Sequence, residues 1–173
     1  MKFKTNQEEQ NKEVEKMSKE LYDGFLDLIQ FEVDKLTLIE SARLYFHKIG
    51  LVNYEKFFKG LYKVCKETKN CLIEHLYNNS SKEIPEFVIP QIVSFESFSE
   101  NTKPFKMLAE MEDTFVEKIN NLISISNGDR NWNSFYYLLQ KLSKVDHICC
   151  RALSAVENKA DVLALCEQHI SEK

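Results

Sequence analysis

The sequence is poor in the residues that interrupt helices. Of 173 residues only four are glycine and three are proline, which excludes folds built from many tight turns and favours a few long helices. It also lacks any run approaching the roughly 20 apolar residues of a membrane-spanning helix. The first residues are charged without an apolar segment, so we expect no secretory signal. Net charge is −4, a mild acidity that does not point to nucleic acid.

Cysteine is present but without the spacing of a metal knuckle or a disulfide framework. The five cysteines form an odd set, which predicts reduced thiols and a cytoplasmic location; they are Cys65, Cys71, Cys149, Cys150 and Cys166. The adjacent residues Cys149 and Cys150 have two possible roles. They could form a redox couple, or they could be small core residues on a helix. We favour core residues, which is the commoner role of an unpaired cysteine.

What is there is helical periodicity, most clearly between residues 54 and 76. Apolar or small side chains recur every three or four residues and predict an amphipathic helix; they are Tyr54, Phe58, Leu61, Cys65, Thr68, Leu72 and Leu76. Thr68 and Cys71 lie three residues apart on this helix. That spacing suits a Glu-x-x-His metal pair in a bundle core, although the residue types differ.

A second stripe on the same helix is basic. Lysines at helical spacing make one face positive, with a single acid nearby; the set comprises Lys56, Lys59, Lys63, Lys66 and Glu67. Such a face attracts phosphate or another anion. A solvated lysine face without a ligand is the alternative.

Four long helical segments follow one another along the chain. A first helix ends near His47 before Gly50, and a second spans Leu51 to about Asn78. A crossover with two prolines covers residues 79–102, for which a short strand pair is the alternative. A third helix runs from Thr102 to Asn127-Gly128. A fourth runs past Phe135 to Asn158, and a short fifth covers Val162 to about Ile170. Glu32 and Glu112 interrupt the apolar stripes of the first and third helices.

Two tight connections and one long crossover predict an all-α four-helix bundle of the ferritin-like kind, with a short C-terminal helix. We expect residues 1–18 to be a polar extension and residues 19–173 to form the bundle. Segments 29–46, 84–98, 111–123 and 164–172 together resemble ferritin in order and spacing. The resemblance implies a homo-oligomeric cage of 24 subunits that handles iron, without nucleic acid or membrane partners.

The resemblance also implies where a di-iron oxidation centre would lie. Its acids on the first and third helices match Glu32 and Glu112, whereas its Glu-x-x-His pair falls on Thr68 and Cys71. The fourth-helix ligand falls at about Val145. Because hard iron prefers several oxygen ligands and an imidazole, the replacements argue against ferroxidase activity and leave weak iron binding.

Two functions follow as hypotheses. The first is a cage subunit for iron storage or sequestration whose oxidation site, Glu32, Glu112, Cys71 and Thr68, is largely lost. The second is a ferritin-fold shell or interaction protein whose basic inner face binds phosphate or other anions through Lys59, Lys63 and Lys66, beside Glu67.

Overall fold

The computed structural model describes residues 17–160 and 162. Within these residues the chain forms five α-helices and a single turn of 3-10 helix at Phe95–Ser97. The α-helices are α1 Lys19–Lys48, α2 Val52–Asn79, α3 Lys103–Gly128, α4 Trp132–Ser143 and α5 Ile148–Glu157. The described residues contain no strand, so the predicted all-α class is confirmed.

The α1–α2 hairpin has local causes in the sequence. The Ser18 side chain accepts a hydrogen bond from the N–H of Leu21 at 3.1 Å and so caps the first turn of α1. At the other end Gly50 adopts φ 76°, a left-handed conformation that costs glycine little. The N–H of Leu51 donates a hydrogen bond to the carbonyl of Phe46. The predicted stop at Gly50 is therefore confirmed.

The crossover between α2 and α3 runs along α1 and is bound to it through its backbone. The Gln30 amide donates to the carbonyl of Val88 at 2.7 Å and accepts from its N–H at 3.0 Å. The Ser41 hydroxyl accepts from the N–H of Val93 at 2.9 Å. Side chains of α1 thus pair the groups that a neighbouring strand would otherwise pair. The predicted long crossover is confirmed, without the alternative strand pair.

The fourth helix is not continuous, which corrects the sequence prediction. Residues 144–147 separate α4 from α5, and His147 has a left-handed backbone at φ 47°. The predicted end at Asn158 holds, since Asn158 is the C-cap of α5. The predicted fifth helix lies outside the described residues apart from Val162, and so do Cys166 and most of the predicted N-terminal extension.

The hydrophobic core has two parts that meet near the middle of α1. One part uses the N-terminal half of α1 with the C-terminal halves of α2 and α3 and with Leu138 of α4. The other uses the C-terminal half of α1 with the N-terminal halves of α2 and α3 and with α5. It holds an aromatic cluster in which the Phe105 ring centroid lies 5.0 Å from that of Phe58 and 5.6 Å from that of Phe57. Each such ring contributes roughly 2–3 kcal/mol by burial.

Between the two parts lies a layer of buried charged side chains, which we call the polar layer: Glu32, Lys35 and Glu112. Its members come from α1 and α3. None of the described helices is long and apolar enough to cross a membrane.

Candidate metal centre

Glu32 lies at the centre of the bundle, but it already has a cationic partner. Its side chain is fully buried, and its Oε1 lies 2.5 Å from the Nζ of Lys35, one helical turn further along α1. The Oε2 atom has no hydrogen-bond partner among the described residues. A buried carboxylate is stable only when its charge is compensated, and here the compensation comes from within the same helix.

Lys35 is the residue that the sequence interpretation missed. It is only 7% exposed, and its ammonium lies 4.4 Å from the centroid of the Phe115 ring, where a cation–π contact adds to the ion pair. Burial works against the charge, yet the neighbouring Glu32 carboxylate outweighs it and raises the pKa of Lys35 above its ordinary value. The sequence did contain a signal for this residue. Lys35 is three residues after Glu32, and residues at that spacing lie on the same face of a helix.

The ion pair changes what Glu32 can do as a ligand. Burial raises the pKa of the Glu32 carboxyl, and Lys35 opposes that rise. A metal cation at Glu32 would have to displace the ammonium or sit beside it, and both cost energy in a buried site of low dielectric. Glu32 is thus part of a charge-neutral pair within the core.

Glu112 has a different role from Glu32. Its Oε2 accepts hydrogen bonds from the backbone N–H groups of Cys149 at 3.1 Å and Cys150 at 3.3 Å. These are orphan donors of the first turn of α5, whose N-cap residue His147 supplies no capping side chain. A carboxylate from α3 therefore caps α5 at the break in the fourth helix, where the helix dipole favours a negative charge.

The two carboxylates both act on a buried thiol, that of Cys65. Burial raises the pKa of the Cys65 thiol to about 12, with smaller contributions from Glu32 and Glu112 that are opposed by Lys35. Cys65 is a free cysteine, and it stays protonated as a small core residue. Both predicted acids are thus interior groups rather than surface ones.

Thr68 and Cys71 have partners of other kinds. The Thr68 hydroxyl donates to the carbonyl of Val64 at 3.2 Å, a common bond of threonine within a helix. Cys71 is half-buried and lines a cavity of about 370 Å³ together with His75, Tyr137 and Lys141. The four-residue ligand set Glu32, Glu112, Cys71 and Thr68 therefore stays a prediction, and Val145, the expected fourth-helix position, falls within the break.

The basic stripe of α2 is exposed. Lys59, Lys63, Lys66 and Glu67 all point to solvent in the single chain, so the lysines are accessible to an anion. Whether they bind one stays a prediction.

His75 is half-buried against the rings of Phe25 and Tyr137. Its ring stacks on that of Tyr137 with centroids 4.0 Å apart, and its Nε2 lies 3.0 Å from the Ser134 hydroxyl oxygen. Burial lowers the pKa of His75 to about 4. These contacts make His75 a packing residue.

One group of potential ligands does converge, at the α4–α5 break. Glu112, His147 and Cys150 each place one ligand atom so that all three atoms lie within 4.8 Å of one another. His147 is exposed and Cys150 half-buried, so the group opens to solvent on one side. Sequence interpretation found only Glu112 of these three, although the i, i+3 spacing of His147 and Cys150 was an available signal.

The architecture is similar to that of solved ferritin structures. A humanized archaeal ferritin matches with a TM-score of 0.71 and 13% identity, covering 88% of this chain and 94% of that chain. A PmFTN variant soaked in iron for 45 min matches with a TM-score of 0.67 and 14% identity, covering 86% of this chain and 98% of that chain. No protein-family model and no curated protein sequence matches this chain. At such identities the likeness establishes the fold, which is the ferritin-like four-helix bundle.

Proposed function

We propose that this ferritin-like bundle is a subunit that stores or sequesters iron without an ordinary di-iron oxidation centre. The fold supports the first half of the proposal, since the similar solved structures include one soaked in iron. The second half rests on the chain's own residues. Iron here is cargo, held by the assembly rather than by a resident cofactor site.

The observation that carries the proposal is the buried pair of Glu32 and Lys35. An oxidation centre needs carboxylates that are free to bind two cations, as in the di-iron sites of helix bundles. Here the α1 carboxylate is 2.5 Å from an ammonium, which supplies the positive charge that a metal would bring. One oxygen of the α3 carboxylate, Glu112 Oε2, is engaged in capping α5.

Ferrous iron added under air tests both halves. We expect dissolved oxygen to fall no faster than in buffer alone, while iron that does oxidise co-elutes with the protein on size exclusion. The variant Glu32→Gln should also consume no oxygen above the buffer rate, although it leaves the Lys35 charge uncompensated. Glu40→Gln, on the same helix but outside the polar layer, is the matched control.

Two results would contradict the proposal. Oxygen consumption above the buffer rate that disappears in Glu32→Gln but not in Glu40→Gln would show an active oxidation centre. Iron that separates completely from the protein on the column would remove the storage role.

We further propose that the subunits assemble into a closed homo-oligomer. The crossover exposes large apolar side chains that a monomer would leave in water: Val88 is 73% and Ile89 79% exposed. Exposed apolar residues in one segment are typical of a surface covered by a partner. The two hydrogen bonds between the Gln30 side chain and the Val88 backbone hold this segment in place before assembly.

Light scattering coupled to size exclusion tests the assembly. The parent chain should elute as a large closed particle. Ile89→Lys should lower the mass of that particle, because the lysine would place a charge in the interface between subunits. Gln91→Lys adds the same charge at an exposed polar position two residues on and should change the mass less. A monomeric parent chain at all concentrations would refute assembly.

A further inference from the structure

The break between α4 and α5 gathers three different ligand types around one point. Glu112 comes from α3, His147 is the N-cap of α5, and Cys150 lies in its first turn. Their carboxylate, imidazole and thiol ligand atoms lie within 4.8 Å of one another. This group differs from the Glu32–Lys35 pair because no lysine or arginine among the described residues forms an ion pair with the Glu112 carboxylate.

The contacts of Glu112 orient it for binding. Its Oε2 is held by the N–H groups of Cys149 and Cys150, which fixes the carboxylate plane and leaves the second oxygen for another partner. Ligand groups that are oriented by hydrogen bonds to a second element are typical of protein metal sites.

Cys150 holds a proton that a cation would replace. Burial together with the Glu112 charge raises the pKa of Cys150 to about 11. Asp113, next to Glu112 on α3, adds negative potential at the same thiol. A negative pocket around a thiol disfavours the free thiolate, and a bound cation reverses that effect.

His147 supplies the exposed side of the group. Its backbone is left-handed at φ 47°, an uncommon conformation for a residue other than glycine. His147 is the N-cap of α5, and its imidazole has a ligand atom within 4.8 Å of those of Glu112 and Cys150.

We propose that Glu112, His147 and Cys150 bind a divalent cation of the zinc class at the α4–α5 break. Thiolate, imidazole and carboxylate together suit zinc or cobalt and do not suit magnesium or calcium, which prefer oxygen ligands alone. Three protein ligands leave a fourth position for water. On binding, the thiol proton of Cys150 leaves to solvent, and one carboxylate and one thiolate balance the two positive charges.

The geometry needs only a small adjustment to accept the ion. Zinc bonds of about 2.0–2.3 Å in tetrahedral geometry place ligand atoms about 3.5 Å apart. The ligand atoms already lie within 4.8 Å of one another, so they would have to approach by roughly 1 Å. The bound ion would join α3 to the α4–α5 junction and stabilise the break.

Cobalt titration of the full-length, iron-free protein under reducing, anaerobic conditions tests the site. Co²⁺ should give a thiolate-to-cobalt charge-transfer absorption in the near ultraviolet and the visible bands of tetrahedral cobalt, and one equivalent of Zn²⁺ should remove both. Cys150→Ser should abolish the charge-transfer band, and His147→Asn, which tolerates the left-handed backbone, should weaken binding at least tenfold.

Matched thiol variants separate this site from the other cysteines. Cys71→Ser and Cys166→Ser should keep the charge-transfer band in full, with far-ultraviolet circular dichroism showing that each variant is folded. A band that persists in Cys150→Ser, or no band in the parent chain, would overturn the proposal.

A second measurement needs no variant. Alkylation of the parent chain at alkaline pH, mapped by mass spectrometry, should show Cys150 protected by Zn²⁺ and Cys71 unprotected. Equal labelling of Cys150 with and without Zn²⁺ would also overturn the proposal. Both tests are independent of iron storage and of assembly.

Discussion

Lys35 is a buried cation in the core of the bundle. Its ammonium carries a full positive charge and forms an ion pair with the Glu32 carboxylate at 2.5 Å. Removing one member of a buried ion pair leaves the other charge uncompensated, which typically costs about 3–5 kcal/mol, whereas replacing both with apolar groups is often neutral or stabilising.

The variant Lys35→Met should therefore lower the free energy of unfolding by about 3 kcal/mol at pH 7, as measured by urea denaturation. The loss should shrink as the pH falls towards 4, because burial raises the pKa of Glu32 and the protonated carboxyl carries no charge to compensate. The double variant Glu32→Leu/Lys35→Met should recover most of the stability. A fully stable Lys35→Met at pH 7 would mean that the pair contributes little.

His75 should make the protein less stable in mildly acidic solution. Its folded-state pKa of about 4 lies below its ordinary value of 6.5, so the unfolded chain binds a proton more readily between those values. The stability that a neutral His75 provides is present above pH 6.5 and is lost as the pH falls towards 4. After allowance for the partial exposure of the ring, the loss is roughly 1–2 kcal/mol.

The measurement is urea denaturation at intervals from pH 7 to pH 4.5. His75→Phe keeps a ring against Tyr137 but cannot titrate, so its stability should fall less over this range. The two proteins should be compared by the slope of unfolding free energy against pH. The absolute values differ at every pH, because the buried Ser134 hydroxyl loses its partner in the variant. Identical slopes would assign the acid sensitivity to other groups.

At the residue scale the sequence predicted which acids are buried but not what they contact. Glu32 and Glu112 interrupt apolar stripes, and both prove to be interior residues. Lys35 lies on the same face of α1, but a lysine in an amphipathic helix usually extends to solvent. Its burial depends on Phe115 from α3, a contact that no local pattern contains.

The elements differ from the sequence prediction mainly at the α4–α5 break. The periodic residues Leu138, Leu142, Cys149 and Ala152 keep a helical spacing across it, and neither glycine nor proline marks it. The break is stabilised by a tertiary contact, since Glu112 of α3 satisfies the N–H groups at the start of α5. The hydrophobic periodicity of the sequence cannot predict that contact, because it joins residues of two different helices. The stops at Gly50 and after Gly128 were predictable because their causes are local.

The cap on α5 should depend on an acceptor atom more than on charge. Glu112→Gln keeps an oxygen that can accept the N–H groups of Cys149 and Cys150, so it should cost less than about 1 kcal/mol. Glu112→Ala leaves those donors buried without a partner and should cost about 2 kcal/mol. Both are measured by thermal and urea unfolding with chelator present, so that bound metal does not contribute. Equal losses in the two variants would refute the cap.

The close approach of α1 and α3 should be sensitive to one methyl group. A Cβ on Gly24 would lie 2.3 Å from the Leu122 Cδ2 atom, and the Leu122 side chain is itself buried. Gly24→Ala should therefore destabilise the bundle by about 1–3 kcal/mol through overpacking, despite the better helix propensity of alanine. Gly128→Ala, where a Cβ meets nothing within 4 Å, is the control and should be neutral or slightly stabilising. A stabilised Gly24→Ala would show that Leu122 can move away.

The molecule as a whole has two hydrophobic half-cores on either side of the polar layer. Apolar contacts join residues within each half, and the charged layer contributes little hydrophobic stabilisation between them. We expect native-state hydrogen exchange to separate the helical amides into two cooperative groups. One group contains residues 21–29, 72–76 and 115–122, and the other contains residues 36–46, 57–65, 105–108 and 148–156.

The double variant Glu32→Leu/Lys35→Met joins the two halves with apolar side chains, so its amides should exchange as a single group. Mass spectrometry of exchanged peptides across a denaturant series gives the measurement. A single cooperative group in the parent chain would show that the polar layer does not divide the core.

At this scale the architecture was predictable because it follows from patterns that run along the whole chain. Four apolar stripes, two short connections and one long crossover leave few alternatives to a ferritin-like bundle, and the solved structures agree with it. The division of the core was not predictable, because it depends on which side chains from different helices meet at the same level.

The level of the polar layer also fixes how far each helix is shifted along its neighbours. If α1 slid by one turn, about 5.4 Å, Glu32 and Lys35 would lie against leucine and isoleucine side chains, and Glu112 would remain bound to α5. Misaligned packings would thus move Lys35 away from the Phe115 ring and place the pair in an apolar layer, whereas an all-apolar centre would tolerate several alignments. The ion pair at the middle of the bundle therefore selects one alignment of the helices during folding.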